Sequence, residues 1–570
     1  MATTIVNHKF HRWLNEAALF ERDWRIANNL NFDFYDGEQW TEDEKTVIGE
    51  RGQLPAVLNV IRPTVDMVMS LEADRRIDFQ IAPREPSDDL MARLLTELLK
   101  QVYDLNDFDY FLSRAFCEAV IGGRGAIGCS VKMDKAGQEQ VTIDWIPWEQ
   151  VYVDPFHRRQ DASDARYIIR RVWMDRDQVK DRYPEVESQL ATTFVDDDYK
   201  GIEDAAQANG TDRGLQYYDW KSQRIALNEV WYKDAKGKVR HVIFSDVVFF
   251  EGSPDDDAKN ESPYLNNFFP IIPIYSFRTH KGVPRGLVSY LLDYQRMINK
   301  ANSKYLWNIS SNRAMIEDGA VADPEEFRSE WNRPDGVVML LAGGMQKVKA
   351  EDNLRECQYL ASHLQFLLAM MQRTSGINDS MIGVGGINER SAQQQTVRIT
   401  QGASMQTQLF DNLFFARKQL ARVTLLLVGE KYTDRRVIRQ TEPDGQNVYM
   451  ELNQETGEKD PTTGKPIFAN QINDILKYDV IVRPVKPFDT VRQNTMSMFS
   501  EVAKTGAIPG EIVGEAMLEM SELPNKQDLI KRMRTLFDMQ AQQAAQQQAA
   551  EQAAQAAKAA GNSAGTPAGV

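Results

Sequence analysis

Three long helical runs between Gly286 and Tyr432, broken only by one insert and one glycine-containing loop, set the tightest limit on how this chain folds. Leu287, Leu291, Tyr294, Ile298, Ala301, Tyr305 and Ile309 keep a 3.6-type spacing with neither proline nor glycine among them. That spacing predicts one helix, some 35 Å long at about 1.5 Å per residue. The insert, 312–351, opens its own helix at Asp323-Pro324-Glu325-Glu326, with proline at the first helical position. It also predicts a strand over 337–341. A second helix follows on Leu354, Cys357, Ala361, Leu364, Leu368 and Met371. The loop over 375–390, SGINDSMIGVGGINER, leads into a third helix from Ser391 to about Tyr432, polar at first and then apolar through Leu409, Leu413, Leu420, Val423 and Leu427. Two long helices therefore flank a small domain, and a glycine-rich connection leads to a third.

The N-terminal half reads differently. Phe10, Trp13, Leu14, Ala17, Ala18, Phe20 and Trp24 predict a surface helix over 10–26, followed by an aromatic loop, NFDFYDGEQW, over 31–40. Thr41 and Glu44 form a capping box that opens a short helix. Pro55 and Pro63 bracket PAVLNVIRP, a segment apolar enough to be buried. Residues 64–73 read as helix, 77–83 as extended chain, and Ser87 caps an amphipathic helix over 88–103. From 126 to 278 the period drops to two, in stretches such as QVTIDWIPW, YIIRRVWMD and FPIIPIYSF, which predicts a β-rich domain. An acidic stretch over 192–217 fits a surface loop within it. Strand patterns return over 436–485, three short helices follow from Phe488, and an Ala/Gln-rich tail closes the chain. The tail has helical propensity but no large apolar face to bury.

Composition removes several function classes. The 570 residues include 67 Lys plus Arg and 82 Asp plus Glu, a net charge of −15, and the 42% hydrophobic share supports several cores rather than a disordered chain. No apolar run approaches the roughly 18 residues of a membrane span. Charges from Lys9 to Arg25 leave no secretory signal, so a cytosol-made protein is expected. Cys117, Cys129 and Cys357 form no CxxC pair and the histidines are scattered, so neither a disulfide framework, a metal site nor a cofactor is expected.

Gly123-x-Gly125-x-x-Gly128 matches a dinucleotide fingerprint in letters only. A helical stretch precedes it and a strand follows, the reverse of the required order, so it reads as a helix-to-strand turn. No G-x-x-x-x-G-K-[ST] occurs, and neither HExxH, GxSxG nor a Cys/His nucleophile pair is present. The acidic clusters 196–198 and 255–257 lack an EF-hand pattern and read as solvated surface. Arg296, Lys300 and Lys304 form a stripe along the first long helix, by default a solvated face and alternatively a phosphate contact. Residues 313–376 hold 7 basic and 10 acidic side chains, so tight polyanion binding is not expected of the region as a whole.

The order of parts resembles the portal proteins of tailed bacteriophages, particularly the P22-like group of short-tailed phages. YDGEQW over 35–40, followed by Pro55, Asn59 and Pro63, resembles the family's N-terminal signature. GVPRGLVSYLLDYQRMINKANS over 282–303 resembles the approach to its first stem helix. The resemblance implies an α+β portal-type subunit with a mixed wing over 1–286, β-rich over 126–278. A first stem helix over 287–312, a clip over 313–353, a second stem helix over 354–376 and a tunnel loop over 377–390 follow. Then come a long helix and return to the wing over 391–486, a helical crown over 487–540 and a short barrel-like tail over 541–570.

It further implies a ring, a dodecamer, at one capsid vertex of the virion, a conduit through which double-stranded DNA slides during packaging and ejection. Terminase large subunit, a head-to-tail adaptor, and capsid and scaffolding proteins would be its partners, with no membrane, cofactor or catalysis. Ile377, Asn378, Met381, Ile382, Gly383, Val384, Gly385, Gly386, Ile387 and Arg390 would form the channel-facing loop. Arg296, Lys300 and Lys304 would contact phosphate or make intersubunit salt bridges. Another head-to-tail connector or tail protein is the second reading. A packaging ATPase or nuclease is the third, opposed by the missing P-loop. The acidic balance fits a conduit past which DNA slides rather than a protein that grips it.

Overall fold

Burial decides how far the first helix runs. The computed structural model describes residues 8–74, 77–83, 89–135, 137–186, 217–219, 221–246, 248–254, 256–310, 313–331, 333, 335–351, 353–377, 406–441, 447–459, 466–469 and 478–484, with six further positions. In it Lys9–Asp36 is one helix of 28 residues, so the aromatic loop expected over 31–40 is helical as far as Asp36. Asn and Asp form helix weakly, but Asn31 and Phe34 are buried, and packing overrides that preference. Gly37 ends the helix in the left-handed region (φ 101°), donating its N–H to the Asp33 carbonyl at 3.0 Å. The expected capping box opens the next helix, Glu42–Glu50, with Glu44 N–H donating to Thr41 Oγ1 and Thr41 N–H to Glu44 Oε2, each at 3.2 Å.

The first helix serves two cores. Phe10, Leu14 and Ala17 pack on a six-stranded antiparallel sheet through Tyr152, Tyr167, Tyr232 and Phe244, with Trp13 stacked on Tyr167 at 5.0 Å. That sheet runs in the order Val151–Val153, Tyr167–Asp175, Arg224–Lys233, Val239–Ser245, Val248–Glu251, and Tyr218–Asp219 pairs beside Arg224–Lys233. Asp257, expected in solvent, keeps 45% of its side chain exposed while its Oδ1 accepts from Lys9 Nζ and Tyr232 Oη. Those hydrogen bonds, Lys9 first, hold its carboxyl below the ordinary range.

The larger core lies under a three-stranded antiparallel sheet, Ile271–Tyr275, Arg124–Met133 and Glu139–Ile146 in that order. Helices Ile61–Asp74, Asp89–Leu105, Phe108–Gly122 and Thr407–Lys431 share it. Pro63 is tolerated in the first of these because it lies in the opening turn. The glycine motif sits where Phe108–Gly122 meets Arg124–Met133, the helix-to-strand turn that its order of elements predicts. Gly123 is left-handed (φ 105°), and a Cβ there would lie 2.4 Å from Arg285 N. A Cβ on Gly125 would lie 1.9 Å from the Ala115 carbonyl oxygen. These glycines permit backbone contact, not cofactor contact.

Leu292–Ser310 follows a 3-10 turn at Val288–Tyr290 and packs along Leu354–Ser375. Between them the insert holds a helix, Pro324–Trp331, capped by Asp323 Oδ1, and a two-stranded hairpin, Arg313–Ile316 with Val348–Glu351. The strand expected over 337–341 enters no ladder among the described residues. Its alternating pattern is real, but Leu341 N–H goes to the Ala320 carbonyl at 3.1 Å, so the segment ends on a turn instead of beside a strand.

The chain divides into two compact units, 1–483 and 484–570. In the second, Gly514, Arg532, Met533, Thr535, Leu536 and Met539 are helical; the rest of the expected crown and tail lies outside the described residues. The acidic cluster 196–198 lies outside them as well.

Candidate functional site

Residues 54–60 run alongside the first long helix without helix or strand of their own, and three side chains of that helix hold them in place. Gln295, Asn299 and Ser303 stand one helical turn apart on one face, all buried. Val60 N–H donates to Gln295 Oε1 at 3.1 Å, Leu58 N–H to Asn299 Oδ1 at 3.1 Å, and Ala56 N–H to Ser303 Oγ at 3.0 Å. Gln295 Nε2 returns a bond to the Leu58 carbonyl at 2.7 Å, and Asn299 Nδ2 donates to Gln39 Oε1 at 2.6 Å. Alternate amides of the strap are read by every fourth residue of the helix. Sequence reasoning noted that PAVLNVIRP is bracketed by prolines but missed its partners, because Gln, Asn and Ser at helical spacing look like a wet face.

The basic stripe lies one residue further round. Lys304 Nζ is 2.6 Å from Glu356 Oε1 on the second long helix, and Lys300 Nζ is 3.9 Å from Glu44 Oε1 on the capped helix. The Arg296 guanidinium lies 5.4 Å from the centre of the Phe34 ring. All three heads remain at the surface, and two of them have an acid of the same chain within reach. Such exposed pairs add about 1 kcal/mol or less to stability, but they dilute the positive charge the stripe presents.

At the end of Leu354–Ser375, Gly376 turns left-handed (φ 73°) and its N–H caps the Gln372 carbonyl at 2.9 Å. This turn sends Ile377 inward. It is 1% exposed, in the main core with Met371 and Leu409, so it anchors the loop instead of facing a channel. Gln406 Nε2 donates to the Ser375 carbonyl, which ties the two ends of the intervening segment together. Asn378, Met381, Ile382, Gly383, Val384, Gly385, Gly386, Ile387 and Arg390 lie outside the described residues. The described part of the third helix, Thr407–Lys431, is fixed by Asn412 Nδ2 on the Ser276 carbonyl at 2.8 Å and by Arg417 Nη2 on Asp109 Oδ1 at 2.8 Å.

The chain that leads into the first long helix is joined to the α+β body at one junction. Leu287 N–H donates to the Val120 carbonyl at 2.7 Å, and Trp24 Nε1 donates to the Gly122 carbonyl at 2.8 Å. Beneath them Glu21 accepts from Nη1 and Nη2 of Arg124 and from the Nε of Arg25, the last at 3.1 Å. Arg124 and Arg25 also donate to the Val151 carbonyl, at 2.6 and 2.5 Å. Burial raises the Glu21 carboxyl, and the two guanidiniums outweigh it to leave the group below its ordinary value. Glu118, on the neighbouring helix, shows the opposite balance: burial pushes it up to about 8, although the Trp148 N–H donates to its Oε2 at 3.2 Å.

Histidine serves structure here. His157 donates from Nδ1 to the Asp154 carbonyl at 2.6 Å and accepts the Tyr275 hydroxyl at Nε2, 3.0 Å away, and burial pushes it down to about 4. Among the described residues no group of three His, Cys, Asp or Glu side chains converges as a metal would require, and no helix is long and apolar enough to cross a membrane. What the geometry provides is a pair of packed helices held to an α+β body, with an insert between them and Ser375 tied to Gln406 beyond the second.

Residues 11–261 and 255–566 match the family described as Phage P22-like portal protein. The chain is also 22% identical over 479 residues to a portal protein of Helicobacter pylori bacteriophage KHP30, across 80% of this chain and 70% of that one. The family match takes in nearly the whole sequence, including both packed helices, the insert and the loop, and the chain belongs to the phage P22-like portal protein family.

Proposed function

We propose that twelve copies of this subunit form the ring at the capsid portal vertex and that double-stranded DNA passes through its axis during packaging and ejection. The portal is a structural protein, not an enzyme, and it works as a homo-oligomeric ring with capsid and terminase partners. In this reading the packed helices are stems, the insert is the clip on which the terminase large subunit and later the head-to-tail adaptor dock, and 378–390 is the tunnel loop. Capsid and scaffolding proteins meet the wing, and synthesis is in the host cytoplasm. The observation that carries the reading is the strap: Gln295, Asn299 and Ser303 lock a long helix to the body from which it projects, as a load-bearing channel wall requires.

The stripe Arg296, Lys300 and Lys304 guides phosphate without holding it, since Glu44 and Glu356 offset two of its charges. Negative-stain class averages of the purified protein test the assembly: annuli with an axial hole and twelve-fold symmetry are expected, and monomers or open filaments alone would overturn it. Deleting Gly383–Gly386 should leave the rings intact and lower the yield of DNA-filled heads. Unchanged yields would remove the loop from the mechanism.

A further inference from the structure

The first helix of the chain begins on two histidines. His8 and His11, each 7% exposed, stand with their rings 4.1 Å apart beside the turn that joins Val239–Ser245 to Val248–Glu251. Asp246 in that turn is left-handed (φ 48°), and its carbonyl meets both imidazoles, His11 Nε2 at 2.7 Å and His8 Nε2 at 3.3 Å. A carbonyl oxygen only accepts, so each Nε2 carries a proton. The other two ring nitrogens are engaged as well. His8 Nδ1 accepts the His11 N–H at 3.3 Å, which makes an imidazole the cap of the helix, and His11 Nδ1 lies 2.8 Å from the Tyr217 hydroxyl. The Phe244 ring packs against both imidazoles and Phe249 against His8.

We propose that this pair is an acid-sensitive latch: on taking up protons it releases the start of the first helix from the sheet. With both rings neutral, every ring nitrogen has a partner. A proton on His8 Nδ1 would face the His11 N–H, donor against donor, and remove the cap. A proton on His11 Nδ1 would turn the Tyr217 hydroxyl round and set a cation beside His8. The Asp246 carboxylate, 3.8 Å from His11 Nε2, offsets that charge in part, so His11 takes the first proton and His8 the second. The remaining charges do not reverse the sign. Arg171, 5.3 Å from the Tyr217 ring, opposes a further cation, and Lys9 is paired with Asp257. Tyr217, which also faces Tyr152, is kept protonated by burial. Burial outweighs Asp246 and holds His11 below its ordinary 6.5. The latch is therefore closed above about pH 6.5 and loosens as pH falls, its opening constant rising by at most about tenfold per pH unit for each proton taken up. It does not depend on the ring.

The test follows hydrogen exchange of the full chain between pH 7.5 and pH 5, corrected for the chemical exchange rate. Opening of 9–18 and 241–246 should rise at least about tenfold, while 119–127 at the junction stays as protected as before. The Asp257 and Glu21 carboxyls, both held below their ordinary values, remain charged over this range. His157 is also buried and neutral but sits on Asp154 and Tyr275, so the readout is local rather than global unfolding. His8→Asn keeps a capping oxygen, and His11→Gln keeps a donor for the Asp246 carbonyl. Each should cut the rise at least about threefold, and the double variant should remove it. Nitrogen-15 spectra of the wild-type imidazoles need no variant: at pH 7.5 His8 and His11 should both be neutral with the proton on Nε2. Equal protection of 9–18 at the two pH values, a wild-type response in the double variant, or a His8 ring protonated on Nδ1 at pH 7.5 would each overturn the proposal.

Discussion

The junction around Glu21 and the insert around Met339 are opposite solutions within one chain. At the junction every strong charge has its counter-charge from the same chain: Glu21, Arg25 and Arg124 come from two distant segments and are almost wholly buried. In the insert few side chains are buried, and an apolar segment faces outward. The junction is paired within the chain, and the described insert is thinly buried. The α+β body should therefore hold its shape more firmly than the insert does.

The contrast can be broken most severely at Glu21. Glu21→Ala leaves two buried guanidiniums facing each other and should cost about 3–5 kcal/mol, read as a lower denaturant midpoint of the protomer; a loss under about 1 kcal/mol would mean that water already reaches the site. Next in size is Asn299→Ala. It strands the Leu58 amide and the Gln39 carbonyl oxygen, at about 1–3 kcal/mol for a stranded group, and should speed proteolysis within 51–60 before any effect on the β-rich half.

A smaller effect depends on pH. The folded Glu118 carboxyl lies near 8, above the ordinary 4.5, so the stability it contributes is present below about pH 4.5 and is lost as pH rises toward 8. Glu118→Gln should flatten that decline and leave the acid side unchanged; parallel pH profiles of wild type and variant would refute it. Glu21 has the opposite sign, its contribution being present above the ordinary carboxylate value and lost as pH falls. Least of all, Met339→Ser should move protomer stability by no more than about 0.5 kcal/mol, measured by thermal unfolding. A larger loss would show that the insert has a core of its own.

Features with short-range causes were legible in the sequence. Thr41 and Glu44 cap a helix through contacts three residues apart, and the order of helix, glycines and strand alone identified Gly123–Gly128 as a turn. Features whose cause lies far along the chain were not. Gln295, Asn299 and Ser303 are buried by a strap more than 230 residues away in sequence, and nothing local separates them from the solvated stripe one position on. Glu21 and Arg25 looked like surface charge until Arg124 was placed between them. At 337–341 the strand pattern was read, but among the described residues the segment enters no ladder.

The strap also has a mechanical meaning. Its rungs pair every second strap residue with every fourth helix residue in opposite directions, Ala56 with Ser303, Leu58 with Asn299 and Val60 with Gln295. Four helical residues advance about 6 Å, and two extended residues about 6.6 Å. Over three rungs the two rulers drift apart by little more than about 1 Å, so all the bonds can form together, and a much longer ladder would fall out of step. A thrust along the helix axis then loads the three rungs in shear, all at once, instead of peeling them one by one. Force applied along the first long helix would reach the α+β body as a single stiff displacement.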